Sequence, residues 1–221
     1  MKDLILYIHG KNGSAAECGR LKPLFPGCDV LGLDYRTFTP WETGKEIREA
    51  VEKRKGRYES VSLIANSIGA FFSMNAGIDG MIRKAWFISP IVDMESLIRN
   101  RMDWANVTET ELKAKGVIPT SFGEDLSWAY LRYVRTHPVR WAVPTEILYG
   151  RNDELTSYET IRTFTRAHGA RLTVMEEGAH WFHTEEQMRF LEEWMKGTLD
   201  GSDREYEIQP TLIGAYHPDA V

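Results

Sequence analysis

The sequence alternates short apolar segments with longer segments that carry helix-capping signals. The apolar segments have the length of strands and cover residues 4–8, 29–33, 61–65, 85–89, 146–149 and 172–175. Strands that alternate with helices are joined by helical crossovers and are therefore expected to be parallel. Near-continuous apolar runs also suit strands that are covered on both faces. We predict an α/β fold in which a doubly wound, mainly parallel sheet of about six strands is flanked by helices.

Three helices are predicted from a Thr that is followed three positions later by Glu or Gln, the capping-box pattern. These boxes begin at Thr39, Thr156 and Thr184, and apolar residues follow each of them at helical spacing. The first two helices are expected to end at Gly56 and Gly169, because glycine commonly follows the last helical residue.

More than fifty residues separate the fourth predicted strand from the fifth. A crossover between parallel strands needs only about a dozen residues. We therefore predict that residues 91–143 form a helical cap insertion, with one helix that starts near Glu124 and ends near His137. We interpret the three tryptophans of this span as packing residues rather than substrate contacts. They are Trp104, Trp128 and Trp141.

The length of 221 residues fits one domain with a full hydrophobic core. We predict that this domain covers residues 1–196 and that residues 197–221 form a C-terminal tail, to which no function is assigned. The tail starts with a polar stretch from Gly197 and becomes more apolar near its end.

The net charge of −5 and the lack of a clustered Lys/Arg run argue against a nucleic-acid partner. No apolar run approaches the ~20 residues of a membrane span. The first ten residues have the pattern of a strand rather than of a signal peptide, so a cytoplasmic location is expected. Cys18 and Cys28 lie in no metal-ligand spacing, and we expect free thiols and no bound metal.

Ser67 lies where the third predicted strand runs directly into a helix. A serine hydroxyl is a weak nucleophile at neutral pH and needs an exposed position and a nearby base. The small residues Ala65 and Gly69, two positions to either side, would let strand and helix pack closely around such a corner. The alternative interpretation is that Ser67 only caps the helix that follows.

Residues 65–69 resemble the Gly-x-Ser-x-Gly nucleophile elbow of the α/β-hydrolases, with Ala65 in place of the first glycine. The resemblance extends from Leu4 to about Met195. It implies a serine nucleophile, an acid and a base in that chain order, each placed after a strand.

The His-Gly pair after the first strand is similar to the turn of the same family that supports the oxyanion hole. By this resemblance, the oxyanion donors are the backbone N–H groups of Lys11 and Ile68. We interpret His9 itself as a buried residue that fixes the loop. Asn12 either orients this loop or contacts the substrate.

The acid and the base are assigned from the turns after the last two predicted strands. Asp153, in a Gly-x-x-Asp turn, resembles the acid of the family, and Asp93, after the preceding strand, is its rival. Glu154 is expected to be solvated. His180, in a Gly-x-His turn, resembles the family's base, whereas His183 lies nearer the start of the next helix.

These residues lead to the hypothesis of a serine hydrolase that cleaves carboxylic esters through an acyl-enzyme intermediate. Ser67 is the expected nucleophile, His180 the base and Asp153 the acid. The expected partner is a small-molecule ester, and the mechanism implies no cofactor. A thioesterase or amidase of the same fold, and a non-catalytic binding or scaffold protein, remain as alternatives.

Overall fold

The computed structural model describes residues 1–199. The strands in this range are β1 (Leu4–Ile8), β2 (Asp29–Gly32), β3 (Val61–Asn66), β4 (Ala85–Ile88), β5 (Val117–Ile118), β6 (Leu126–Ser127), β7 (Thr145–Asn152) and β8 (Arg171–Ala179). Within the described residues, six of them form a parallel sheet in the order β2-β1-β3-β4-β7-β8, while β5 and β6 pair antiparallel. The predicted fold class is confirmed.

The α-helices of residues 1–199 cover both faces of this sheet. They are α1 (Cys18–Leu21), α2 (Pro40–Glu52), α3 (Ile68–Met74), α4 (Met94–Trp104), α5 (Glu109–Lys115), α6 (Trp128–Thr136), α7 (Tyr158–His168) and α8 (Glu185–Leu199). Thr39 caps α2 as its box predicts. In α7 the cap is Ser157, which accepts the Thr160 N–H at 3.1 Å, and not Thr156 as predicted. The Thr156 N–H is instead bound by Asp153 Oδ1 at 3.1 Å.

The packing of alternate residues of β1 explains why the strands are continuous apolar runs in the sequence. Leu4, Leu6 and Ile8 pack in a cluster with residues of α2, α3 and α7. Ile5 and Tyr7 point to the other face and pack in a second cluster with residues of α1 and α8. Because both faces are covered by helices, neither set of side chains can be polar, and the usual alternation of polar and apolar residues is lost.

β7 and β8 are longer than the sequence predicts, and this extension positions the residues that follow them. The predicted ends lie at residues 149 and 175, where charged residues interrupt the apolar pattern. Both strands continue, to Asn152 and Ala179, with an irregularity in the pairing at Gly150. Arg151 and Glu176 form an ion pair between the strands at 2.9 Å, so the charges extend the pairing instead of ending it.

The insertion between β4 and β7 contains α4, α5, the β5–β6 pair and α6. Its last helix starts at Trp128 with Ser127 as N-cap, later than the predicted start near Glu124. The helix starts later because Leu126 and Ser127 pair with Val117 and Ile118 as strands.

The tryptophans of the insertion differ in their surroundings. Trp141 is buried and its Nε1–H donates to Thr145 Oγ1 at 2.8 Å, as expected of a packing residue. Trp128 is half-buried against the core. Trp104, in contrast, is 64% exposed and contacts the ring of Phe122, so the packing interpretation is wrong for this residue.

The last helix passes through Gly197 and ends at Leu199, beyond the predicted end of the domain at residue 196. Thr198 ties this end to the sheet, since its Oγ1 accepts the Trp86 Nε1–H at 2.8 Å. Residues 200–221 lie outside the described residues, so the division into domain and tail stays a prediction.

Both cysteines are free thiols, as predicted, with Cys18 buried and Cys28 half-buried. None of the helices in residues 1–199 is both long enough and apolar enough to cross a membrane. In the same part of the chain, no three His, Cys, Asp or Glu side chains are grouped so that they could hold a metal ion.

Candidate active site

Ser67 turns the chain from β3 into α3 within one residue. Its φ of 54° and ψ of −122° lie in a region that residues with a side chain rarely adopt. The N–H of Ser67 donates to the Ile88 carbonyl of the neighbouring strand at 2.9 Å, which holds the corner against the sheet. A Cβ on Gly69 would lie 2.5 Å from the His9 carbonyl oxygen, so only glycine fits there. Ala65 is fully buried in β3 and takes the place of the first glycine of the motif.

Asp153 and His180 follow neighbouring strands at the same level of the sheet. Asn152 of β7 is in register with Ala179 of β8, so the next residue of each strand leaves the sheet beside the other. Parallel strands end at the same edge, which is also the edge where Ser67 follows β3. The topology thus brings together three residues that are far apart in the sequence.

A continuous chain of hydrogen bonds joins Ser67, His180 and Asp153. Asp153 Oδ2 lies 2.7 Å from His180 Nδ1. A carboxylate only accepts, so Nδ1 carries the proton and the neutral ring presents Nε2 as an acceptor. The Ser67 Oγ lies 2.8 Å from this Nε2 and donates to it. An arrangement of this kind can remove the proton of a serine hydroxyl as the oxygen attacks an electrophile.

Burial and backbone hydrogen bonds fix the carboxylate of Asp153. Its side chain is 0% exposed, compared with 20% for His180. The second oxygen, Oδ1, accepts the backbone N–H groups of Leu155 at 2.8 Å and Thr156 at 3.1 Å. The turn before α7 therefore satisfies one oxygen and leaves the other directed at the imidazole, as in a positioned acid.

Two backbone N–H groups beside Ser67 have no acceptor in the local secondary structure, one at the start of α3 and one in the loop after β1. Ile68 is the first residue of α3, so its N–H has no acceptor within the helix. Lys11 is the second residue of a turn closed by the Gly13 N–H to the Gly10 carbonyl at 3.2 Å, a bond that leaves the Lys11 N–H unused. Asn12 takes the third position with a φ of 62° and also lines the cleft, so both roles expected of it stay predictions.

His9 lies buried under this loop and holds it by hydrogen bonds and ring stacking. The side chain is 4% exposed, and its Nδ1–H donates to the Gly10 carbonyl at 2.8 Å. The ring stacks on Tyr35 with the centroids 4.1 Å apart. The Tyr35 hydroxyl also donates to the His9 carbonyl at 2.8 Å. These contacts match the interpretation of His9 as a buried residue that fixes the loop.

The rival residues have other partners. Asp93 caps α4, where Oδ1 accepts the Ser96 N–H at 2.9 Å and Oδ2 accepts the Ser96 hydroxyl at 2.6 Å. His183 is exposed, stacks on Trp181 and donates from Nδ1 to the Trp181 carbonyl at 2.7 Å. Glu154 is exposed, as expected. None of the three takes part in the hydrogen bonds of Ser67 and His180 within the described residues.

No protein-family model matches the sequence, and no curated protein matches it. Solved structures do match its fold. Est1E from Butyrivibrio proteoclasticus, in a structure with ferulic acid bound, is 18% identical with a TM-score of 0.73, over 89% of this chain and 88% of that one. The α/β hydrolase domain-containing protein 10 from mouse is 17% identical with a TM-score of 0.65, over 89% of each chain. The Pyrococcus furiosus esterase Pf2001 is 18% identical with a TM-score of 0.62, over 90% of this chain and 81% of that one. The chain has the α/β-hydrolase fold.

A cleft of about 1280 Å³ opens over Ser67 and His180. One wall belongs to the cluster on the α3 side of the sheet and includes apolar residues of the insertion. They are Ile91, Met94, Leu97, Ile98 and Leu126. The other wall belongs to the cluster on the α8 side and includes Tyr7, Leu21 and Phe182. Residues of both sheet faces therefore meet around the serine and leave space for a ligand on either side of it.

Charged groups of the insertion reach the loop that carries Lys11. The side chain of Lys11 pairs with Glu124, which also pairs with Arg101 of α4. Burial lowers the pKa of Lys11, and the charge of Arg101 lowers it further. Sequence reasoning considered only the backbone of Lys11 and missed Arg101 and Glu124. The available signal was their place in the predicted insertion, because an ion pair between distant residues leaves no local pattern.

On the opposite wall, the Tyr7 hydroxyl donates to Glu17 Oε2 at 2.6 Å. Burial raises the pKa of Tyr7, and the hydrogen bond to the Glu17 carboxylate raises it further. Tyr7 therefore stays protonated at neutral pH and holds the carboxylate at the edge of the cleft.

Proposed function

We propose that this protein is a serine hydrolase that cleaves carboxylic esters of small molecules through an acyl-enzyme intermediate. The observation that carries the proposal is the pair of hydrogen bonds from Ser67 to His180, at 2.8 Å, and from His180 to Asp153, at 2.7 Å. A serine that only capped α3 would need neither bond, and no side-chain cap bond is made at this position.

In the proposed first step, the Ser67 Oγ attacks the ester carbonyl carbon and its proton passes to His180 Nε2. The π electrons of the carbonyl move to its oxygen, which becomes an oxyanion held by the N–H groups of Lys11 and Ile68. Asp153 stabilises the imidazolium that forms and keeps the ring in the required orientation.

The oxyanion then collapses, the bond to the alcohol oxygen breaks, and this oxygen takes the proton from His180 as the alcohol leaves. In the second half of the reaction, His180 Nε2 accepts a proton from water, and the hydroxide oxygen bonds to the acyl carbon. Collapse of the second oxyanion breaks the bond to Ser67, and His180 returns the proton to the Ser67 oxygen. The products are one alcohol and one carboxylic acid.

The proposal is tested with a fluorophosphonate probe and with p-nitrophenyl butyrate. We expect wild-type protein to be labelled and to hydrolyse the ester, and Ser67→Ala to lose labelling and at least about 10³-fold in kcat. Ser157→Ala is the matched control, because this serine caps α7 on the surface and should be labelled like the wild type. Labelling or turnover that persists in Ser67→Ala would contradict the proposal. The same assay with thioester and amide substrates separates esterase from thioesterase and amidase activity.

A further inference from the structure

Three charged side chains meet at the edge of the cleft, and their charges do not balance. Lys11 and Arg101 both pair with the single carboxylate of Glu124. Within residues 1–199, neither cation has a second acidic partner at ion-pair distance. The Arg101 side chain is 17% exposed, and burial lowers its pKa. In this ion-paired group a largely buried Arg101 and a partly exposed Lys11 share one carboxylate, an arrangement that a further anion would stabilise.

Two polar atoms of cleft-lining side chains are buried without a hydrogen-bond partner among the described residues. They are Nε of Arg101 and the hydroxyl of Tyr130. Burial raises the pKa of Tyr130, so its hydroxyl remains a donor at neutral pH. A buried donor without an acceptor is unfavourable, and native proteins rarely keep one unless a ligand or water satisfies it. Both donors therefore lack an acceptor among the described residues, and the side chains that carry them line the cleft.

The surroundings of these donors limit the kind of ligand. The same wall of the cleft includes apolar side chains of the insertion, which favour a hydrocarbon part of a ligand. A guanidinium presents several N–H donors in a plane and binds a carboxylate with high geometric specificity. A ligand with an apolar body and a terminal carboxylate satisfies both the wall and the charges.

We infer that the substrate of this site is an ester that itself carries a carboxylate, bound by Arg101 and Lys11 at the cap side of the cleft. The inference rests on the proposed ester hydrolysis and adds the substrate class to it. Glu124 holds the two cations in place, and the carboxylate of the substrate supplies the missing negative charge. The carboxylate belongs either to the acyl part or to the alcohol part, and the experiment covers both.

Two pairs of esters that differ mainly in the charge of one part test the inference. Mono-p-nitrophenyl glutarate is compared with p-nitrophenyl valerate for the acyl part, and 4-acetoxybenzoate with 4-acetoxybenzamide for the alcohol part. The readout is the ratio of kcat/KM for the anionic ester to that for the neutral ester. We expect Arg101→Met to lower this ratio at least about tenfold in one of the pairs, because a charge-assisted hydrogen bond is lost.

Two further variants separate recognition from a general effect on the fold. Arg132→Met removes the same charge from an exposed position of α6 that does not line the cleft, and should leave the ratio within about twofold of the wild type. Glu124→Gln removes the protein's own counter-ion and should raise the ratio, opposite to Arg101→Met. A merely structural role would change the turnover of both esters alike and leave the ratio unchanged.

Failure of the inference is distinct from failure of the proposed function. If the wild type is labelled by the fluorophosphonate and hydrolyses the neutral esters, but the ratio is the same in the wild type, Arg101→Met and Glu124→Gln for both pairs, the inference is overturned alone. If no ester is hydrolysed, the proposed function fails. Isothermal titration calorimetry then tests the anion site by itself. Valerate that binds more tightly than the neutral valeramide, with the difference lost in Arg101→Met, supports the anion site, and equal binding overturns it.

Discussion

The backbone strain at Ser67 predicts an unusual order of stability for two substitutions. At most positions in a helix or strand, a protein with glycine is less stable than the same protein with alanine by about 0.5–1 kcal/mol. The reason is that glycine loses more conformational entropy on folding. Ser67, however, has a φ of 54° and a ψ of −122°, and a residue with a Cβ is strained there by about 1–3 kcal/mol. Glycine removes this strain. We therefore expect Ser67→Gly to be more stable than Ser67→Ala by about 1 kcal/mol.

Both variants lack the hydroxyl and its hydrogen bond to His180, so the comparison isolates the backbone. The free energy of unfolding is measured by urea denaturation, and thermal unfolding should show Ser67→Gly higher by about 2–4 °C for a chain of this size. The matched control is Ser73, a buried serine in the regular part of α3. There the usual order should hold, with Ser73→Gly less stable than Ser73→Ala by about 1 kcal/mol.

A result in which Ser67→Gly is no more stable than Ser67→Ala would refute the reasoning, provided that the Ser73 pair shows the usual order. It would mean that the backbone conformation of Ser67 carries little strain energy, and that Ser67 adopts it without support from the packing around Gly69. The alternative interpretation of Ser67 as an ordinary helix cap would then gain support, because a cap residue has an extended backbone and no positive φ.

Two other predictions follow from contacts of the site. Asp153→Asn should lower kcat/KM for p-nitrophenyl butyrate at least about 10²-fold, because the amide no longer fixes the imidazole. Asp93→Asn should lower kcat/KM less than about threefold, because that carboxylate caps α4. A larger loss in Asp93→Asn than in Asp153→Asn would reverse the assignment of the acid. Gly150→Ala should lower the free energy of unfolding by about 3 kcal/mol or more, because the added Cβ would lie 2.5 Å from the backbone of Gly178 in the next strand. Gly80→Ala, whose Cβ meets nothing within 4 Å, should change it by less than about 0.5 kcal/mol in urea denaturation, and equal losses in the two variants would contradict the close approach of β7 and β8.

The strands were predictable wherever burial acts on consecutive residues. The predicted and observed bounds of β1 coincide, because both faces of this strand are covered and every residue in it is apolar. The prediction fell short in β7 and β8, where Arg151 and Glu176 interrupt the pattern. These two charges neutralise each other across the strands, which no pattern within either segment reveals.

Helix boundaries show the same limit. The box at Thr156 has the residues of an N-cap, but the carboxylate of Asp153 binds the Thr156 N–H, and Ser157 caps the helix instead. In the insertion, Leu126 pairs with Ile118 as a strand, although helical periodicity starts there. In both cases a tertiary or cross-strand contact overrides a local preference.

The sequence by itself determined the fold class, the six strands of the parallel sheet and their order along the chain, and the choice of Ser67, Asp153 and His180 as candidates. The fold class follows from local signals such as apolar runs and turns, and the choice of the three residues follows from the resemblance of their turns to those of the α/β-hydrolases. Only the tertiary structure decided that the three side chains form one chain of hydrogen bonds, because that depends on the register of β7 with β8 and on β3 ending at the same edge. It also decided that Lys11, Arg101 and Glu124 share one end of the cleft. Such contacts join residues up to 113 positions apart, and their energy depends on distance in space, which neighbouring residues in the sequence do not encode.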